Sequence, residues 1–83
     1  MRDVYVVSGH PDRALGEALR RLREERGMAQ EEVAFAAGLS TNAISRIERG
    51  LNSPLLVTVK QIAEALDMSL GEFVAELERE EAA

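Results

Sequence analysis

Gly27, Gly38, Gly50 and Pro54 cut this 83-residue chain into short stretches, and within each stretch the apolar residues recur every three to four positions. Breakers at those intervals, with that period between them, predict a set of short helices packed on one another. Leu15, Ala18, Leu19 and Leu22 line one face of a helix over about 12–26, which Asp12 caps or begins and Gly27 ends. Val33, Ala34 and Ala37 line a second over about 30–37, stopped by Gly38. Ser40 is a good N-cap for a third over about 41–48, with Ile44 and Ile47 inward. Beyond Pro54, Val59, Ile62, Ala63 and Leu66 form the stripe of a fourth over about 56–66. Ser69 and Glu72 have capping-box spacing and open a fifth over about 70–80, with Phe73, Val74 and Leu77 apolar. The two ends read differently. Residues 2–8 are a β-branched and aromatic run, a strand or extended arm ended by Gly9 and Pro11. The last residues are acidic and expected to fray. The predicted architecture is all-α: an extended arm over 1–11, five helices over 12–80 and a short tail over 81–83.

Size and residue usage narrow the function classes. A chain of this length is one domain with a small core. It has no cysteine, which removes disulfides and thiolate metal sites and makes a reducing, cytoplasmic compartment the default. The single histidine, His10, lies in a Gly-His-Pro-Asp turn and reads as a surface or capping residue; no metal site is expected. No nucleophile–base set can be assembled, and the adjacent pairs Glu24/Glu25, Glu31/Glu32 and Glu80/Glu81 read as solvated charge, not as general acid and base. No catalytic residue and no cofactor is expected. No apolar run approaches the length of a membrane span, and no secretory leader is legible.

The net charge of −5 argues at first against a nucleic-acid partner, but its distribution is uneven. Residues 51–83 carry two basic against seven acidic side chains. Residues 13–50 carry seven arginines against six glutamates. Arginine suits bidentate contacts to phosphate and guanine. Most of these arginines read rather as solvated helix faces paired with glutamates.

The informative stretch is 27–50. Ala34 is small where two helices cross, Gly38 allows the tight turn between them, and Ile44 and Ile47 anchor the second helix. The opposite face of that helix shows Thr41, Asn42, Ser45 and Arg46, short or fork-shaped hydrogen-bonding side chains at its N-terminal end and one turn on. That is the physics of a helix-turn-helix whose first turns lie in a major groove.

In Gln30-Glu-Glu-Val-Ala34, Ala-Gly-Leu-Ser40, Ile44-Ser-Arg-Ile-Glu-Arg-Gly50 and Ile62-Ala-Glu-Ala-Leu66, the chain resembles the helix-turn-helix family of the lambda repressor, Cro and Xre type. The resemblance covers about residues 15–77. It implies a lambda-repressor-like five-helix domain and a transcriptional regulator, a repressor or autoregulator, that binds double-stranded DNA sequence-specifically as a homodimer on a palindromic operator. It implies that Thr41, Asn42, Ser45 and Arg46 face bases, that Gln30, Ser40, Arg49 and Asn52 contact phosphates, and that Arg23 and Glu48 form an ion pair joining the first helix to the third. Small controller proteins of restriction–modification systems and antitoxin-type repressors share this size and layout. A toxin is therefore a conceivable protein partner, and a protein–protein adaptor or antitoxin on the same fold is the alternative.

The sequence departs from that pattern at Ala29, where the family usually has a capping Ser or Thr, and at Leu55, where a capping Ser is common. The basic residues often found after Gly50 are missing. Leu55 and Leu56 read as an exposed apolar patch or as a packing surface for the arm. Two segments compete for the dimer seam: Leu70, Phe73, Val74 and Leu77 of the fifth helix, placed first, and Val4–Val7 of the arm.

Overall fold

The computed structural model describes residues 11–83. The expected arm and His10 lie outside the described residues. Five helices follow in order: α1 (Pro11–Glu25), α2 (Gln30–Ala37), α3 (Thr41–Glu48), α4 (Leu56–Ala65) and α5 (Leu70–Ala82). All are α-helical and no strand occurs among the described residues.

Each boundary has a local cause. α1 opens on Pro11, at the position where a missing N–H costs nothing, with Asp12 in its first turn favouring the helix dipole. Pro11 thus belongs to the helix and not to the arm. α2 ends on Gly38 at φ 73°, and Leu39 N–H returns to the Ala34 carbonyl at 2.8 Å. That left-handed turn is open to glycine at no steric cost, and it sets the sharp connection into α3. α4 ends in the same way, with Met68 N–H on the Ala63 carbonyl, but its left-handed residue is Asp67, at φ 61°. α3 and α5 start on Ser40 and Ser69, whose hydroxyls accept from Ala43 N–H at 3.0 Å and Glu72 N–H at 3.1 Å. At α2 the N-cap Ala29 has no acceptor. Glu32 supplies half of a capping box by accepting from Ala29 N–H at 2.7 Å.

One core gathers all five helices. Leu15, Leu19 and Leu22 of α1 meet Val33, Ala34 and Ala37 of α2, Ile44 and Ile47 of α3, Ile62, Ala63 and Leu66 around α4, and Phe73 of α5. Val59 and Leu77 pack half-buried at its edge. Phe73, the largest fully buried side chain, corrects its assignment as a seam candidate: the core of its own subunit encloses it, leaving no ring to offer a second copy. Of the other three candidates, Leu77 packs against the core, Leu70 is half-buried and Val74 is exposed.

α5 runs to Ala82, beyond its expected end near 80. Arg21 on α1 holds the end of this helix. Its Nε donates to Glu80 at 2.7 Å and its Nη2 to Glu76 at 3.0 Å, while Nη1 reaches Glu25 at 3.4 Å. The bonds to Glu80 and Glu76 push the Arg21 guanidinium well above its ordinary pKa. They also pin the last turns of α5 along α1.

Candidate nucleic-acid interface

The connection from α2 to α3 spans three residues, Gly38 to Ser40, so the two helices form a single bihelical unit. Ile44 and Ile47 bury one side of α3, which fixes its rotation. Thr41, Asn42 and Arg46 are then exposed and Ser45 is half-buried.

Arg46 does not stand alone. Its Nε donates to the Asn52 side-chain oxygen at 3.3 Å, across the turn after α3. With Nε engaged, both terminal nitrogens of the planar fork stay available, the arrangement suited to a bidentate acceptor. Arg49 caps the end of α3, with its Nε 3.4 Å from the Ser45 carbonyl. The Ser40 hydroxyl, having accepted from Ala43, keeps its own proton for another acceptor.

Behind this surface lies a nearly buried ion pair. Arg23 Nε and Nη2 donate to the two oxygens of Glu48 at 2.6 and 3.1 Å, and Nη1 donates to the Met28 carbonyl at 2.8 Å. The side chains are 12% and 4% exposed. Glu48 raises the Arg23 pKa, chiefly through the hydrogen bond. Glu48 Oε1 accepts a further bond from Gln30 Nε2 at 2.9 Å. One carboxylate thus joins the last turn of α1, the start of α2 and the end of α3, and it orients the Gln30 amide beside the exposed face of α3. Gln30 and Glu48 meet, as do Arg46 and Asn52; Thr41 and Asn42 share the outward first turn of α3.

Two residues of this region escaped the sequence reading. A Cβ at Gly16 would stand 2.4 Å from the Ile47 carbonyl oxygen and 2.6 Å from that of Glu48, so only glycine lets α1 cross the end of α3 this closely. An isolated glycine inside the periodic pattern of α1 was the available signal. The backbone of Arg13 lies against Gly50, which brings a third arginine to the end of the molecule that carries Arg46 and Arg49. Nothing in the local sequence marks that approach.

The helix-turn-helix family profile matches residues 19–73, about two thirds of the chain. The chain therefore belongs to this family of HTH-type transcriptional regulators, and its helix-turn-helix is a DNA-binding domain. An HTH-type regulator of Sinorhizobium fredii, y4dJ, is 40% identical over 60 residues, which make up 72% of this chain and 78% of that protein. The regulator PuuR of Escherichia coli is 35% identical over 66 residues, 80% of this chain but only 36% of PuuR. Among solved structures, the restriction–modification controller protein C.AhdI of Aeromonas hydrophila is 35% identical with a TM-score of 0.72, over 75% of this chain and 94% of that one. The clp gene regulator ClgR of Corynebacterium glutamicum is 28% identical with a TM-score of 0.84, over 92% and 81% of the two chains. Among the described residues, no helix is long and apolar enough to cross a membrane.

Proposed function

We propose that this chain represses or autoregulates transcription by binding duplex DNA sequence-specifically, as a homodimer on a palindromic operator. The observation that carries the reading is the outward face of α3: Thr41, Asn42 and Arg46 are exposed on a helix whose rotation is locked by Ile44 and Ile47. Arg46, with its fork aligned by Asn52, reads a guanine, and Thr41, Asn42 and Ser45 read neighbouring base edges. Gln30, Ser40 and Arg49 hold phosphates and set the register. Asn52 keeps its amide N–H groups for a phosphate while its oxygen holds Arg46. Arg13 joins the phosphate set by its place beside Gly50.

One recognition helix spans only a few base pairs, so a two-fold pair of copies on a two-fold operator is the expected arrangement. The acidic surplus lies in residues 51–83, after the recognition helix.

A mobility shift against the DNA upstream of the protein's own gene, compared with random DNA at two salt concentrations, tests this reading. A preference for the upstream DNA that survives moderate salt is expected. Arg46→Ala should weaken specific binding by about 1–3 kcal/mol and relax preference at one base pair per half-site. Equal loss on specific and random DNA would move Arg46 to the phosphate set, and no preference in the unaltered protein would sink the reading.

A further inference from the structure

Arg20, Arg21, Arg23 and Arg79 all end on glutamates. Arg46 does not. Among the described residues no carboxylate pairs with it, and its partner is the neutral amide of Asn52, whose side-chain oxygen accepts from Nε at 3.3 Å. A carboxylate would align the guanidinium and cancel its charge together. An amide aligns it and leaves the full charge to an outside acceptor.

We infer that Asn52 is a specificity-determining residue: it holds Arg46 in the orientation that reads a guanine and keeps it off the neighbouring phosphates. The inference rests on the DNA-binding reading above and says which residue sets the base preference at the Arg46 position.

The turn after α3 makes Asn52 a firm support. Its backbone closes on α3 itself, with Gly50 N–H on the Ile47 carbonyl at 3.0 Å and Leu51 N–H on the Arg46 carbonyl at 2.9 Å. Gly50, at φ 74°, backs on α1, where a Cβ would stand 3.4 Å from the Arg13 Cα. On the other side Ser53-Pro54 restrains the chain, because proline fixes its own φ and keeps the residue before it extended. Asn52 is half-buried between these restraints, and Arg46 is exposed. A short side chain with little rotamer freedom thus holds a long one with much.

The discrimination follows from which nitrogen is engaged. With Nε taken, Nη1 and Nη2 are the donors left to face the groove. Guanine offers two acceptors there, O6 and N7, whereas adenine sets a donor, N6, beside N7. A paired donor edge accepts the first and rejects the second. An untethered arginine has rotamers that reach a phosphate oxygen, and phosphates are the same at every base pair. Residues 50–59 carry no charged side chain, so nothing else in this segment competes for the guanidinium.

Selection of the full chain on a pool of random-sequence duplexes, with sequencing of the bound fraction, tests the inference. Wild type, Asn52→Ala, Arg46→Ala and the double variant are compared. The wild type should prefer guanine at the position whose preference Arg46→Ala removes. Asn52→Ala should lower the preference at that same position by about three- to tenfold, the worth of one hydrogen bond. Preferences at other positions should remain, and so should the salt slope, because an amide displaces no counterion. In the Arg46→Ala background, where no fork is left to align, Asn52→Ala should change no base preference. Circular dichroism should show unaltered helicity, since Asn52 lies between α3 and α4. An Asn52→Ala protein that keeps the wild-type preference at that position, or that weakens all sequences equally, sinks the inference and leaves the DNA reading intact. So does an effect of Asn52→Ala on base preference that is the same with and without Arg46. A wild type that enriches no sequence sinks the DNA reading, and the inference with it.

Discussion

Arg21 and Arg23 leave the same helix two residues apart, and both end on glutamates, yet they do different things for the protein. Arg21 has three carboxylate partners, Glu25, Glu76 and Glu80, and is 34% exposed. Arg23 has one close partner, Glu48, in a pair 12% and 4% exposed. Solvent screens the first cluster, and its worth is that of a surface network. In the second, removing either member leaves a charge stranded out of water. Burial therefore outweighs the number of contacts. The buried pair holds the recognition helix, and the exposed cluster holds only the outer turns of α5. Both guanidiniums are held above their ordinary pKa, a shift whose stabilising effect is present below that ordinary value and is lost only as pH rises through the shifted one. Arginine does not titrate at any pH near neutrality, so neither contact is switched there from the arginine side.

The contrast can be broken most decisively at Glu48. Glu48→Ala should cost about 3–5 kcal/mol in urea unfolding, because Arg23 then stays buried without its counter-charge. A double-mutant cycle with Arg23→Ala should show strong coupling. A loss below about 1 kcal/mol would put this pair on the same footing as the Arg21 cluster.

Gly16→Ala probes the same joint through packing. The added methyl would meet the Ile47 and Glu48 carbonyl oxygens, prising α1 from the end of α3. A loss of about 1–3 kcal/mol is expected despite the better helix propensity of alanine. A gain of stability would show that the crossing can open freely.

Arg21→Ala should cost about 1 kcal/mol or less and should matter less at high salt. Its signature is local: faster amide exchange in α5 near Glu80–Ala82, with the core of α3 unchanged. Faster exchange in α3 as well would mean that the two arginines act as one network.

The smallest effect lies at the start of α2. Ala29→Ser should stabilise the fold by about 0.5–1 kcal/mol in thermal unfolding, because it completes the box that Glu32 half-forms. No gain would mean that the Glu32 contact already meets the need of that helix end.

Helices proved legible where their causes are local. Ser40, Ser69, Gly38 and Gly50 act within a turn of themselves, so the bounds of α2 and α3 read directly and those of the other helices to within two residues. Asp67 shows the limit of that reasoning: a helix ends there with no glycine to announce it. Within the interface, the exposure of Thr41, Asn42 and Arg46 follows from the period of α3, because Ile44 and Ile47 determine which side faces in. The bond from Arg46 to Asn52 spans six residues and a turn, and no period predicts it.

What the sequence determined by itself is the set of helices, their apolar stripes and the helix-turn-helix to which they belong, because capping, glycine turns and a 3.6-residue period are short-range physics. What tertiary structure decided is the use of each surface. Phe73 could have faced a partner or the core, and only the approach of α1 and α4 to α5 enclosed it. Gly16 reads as an ordinary weak point of a helix until the end of α3 is laid across it. Arg21 and Arg23 look alike along the chain. Their partners lie up to 59 residues away, and the depth at which those contacts form is a property of the assembled fold.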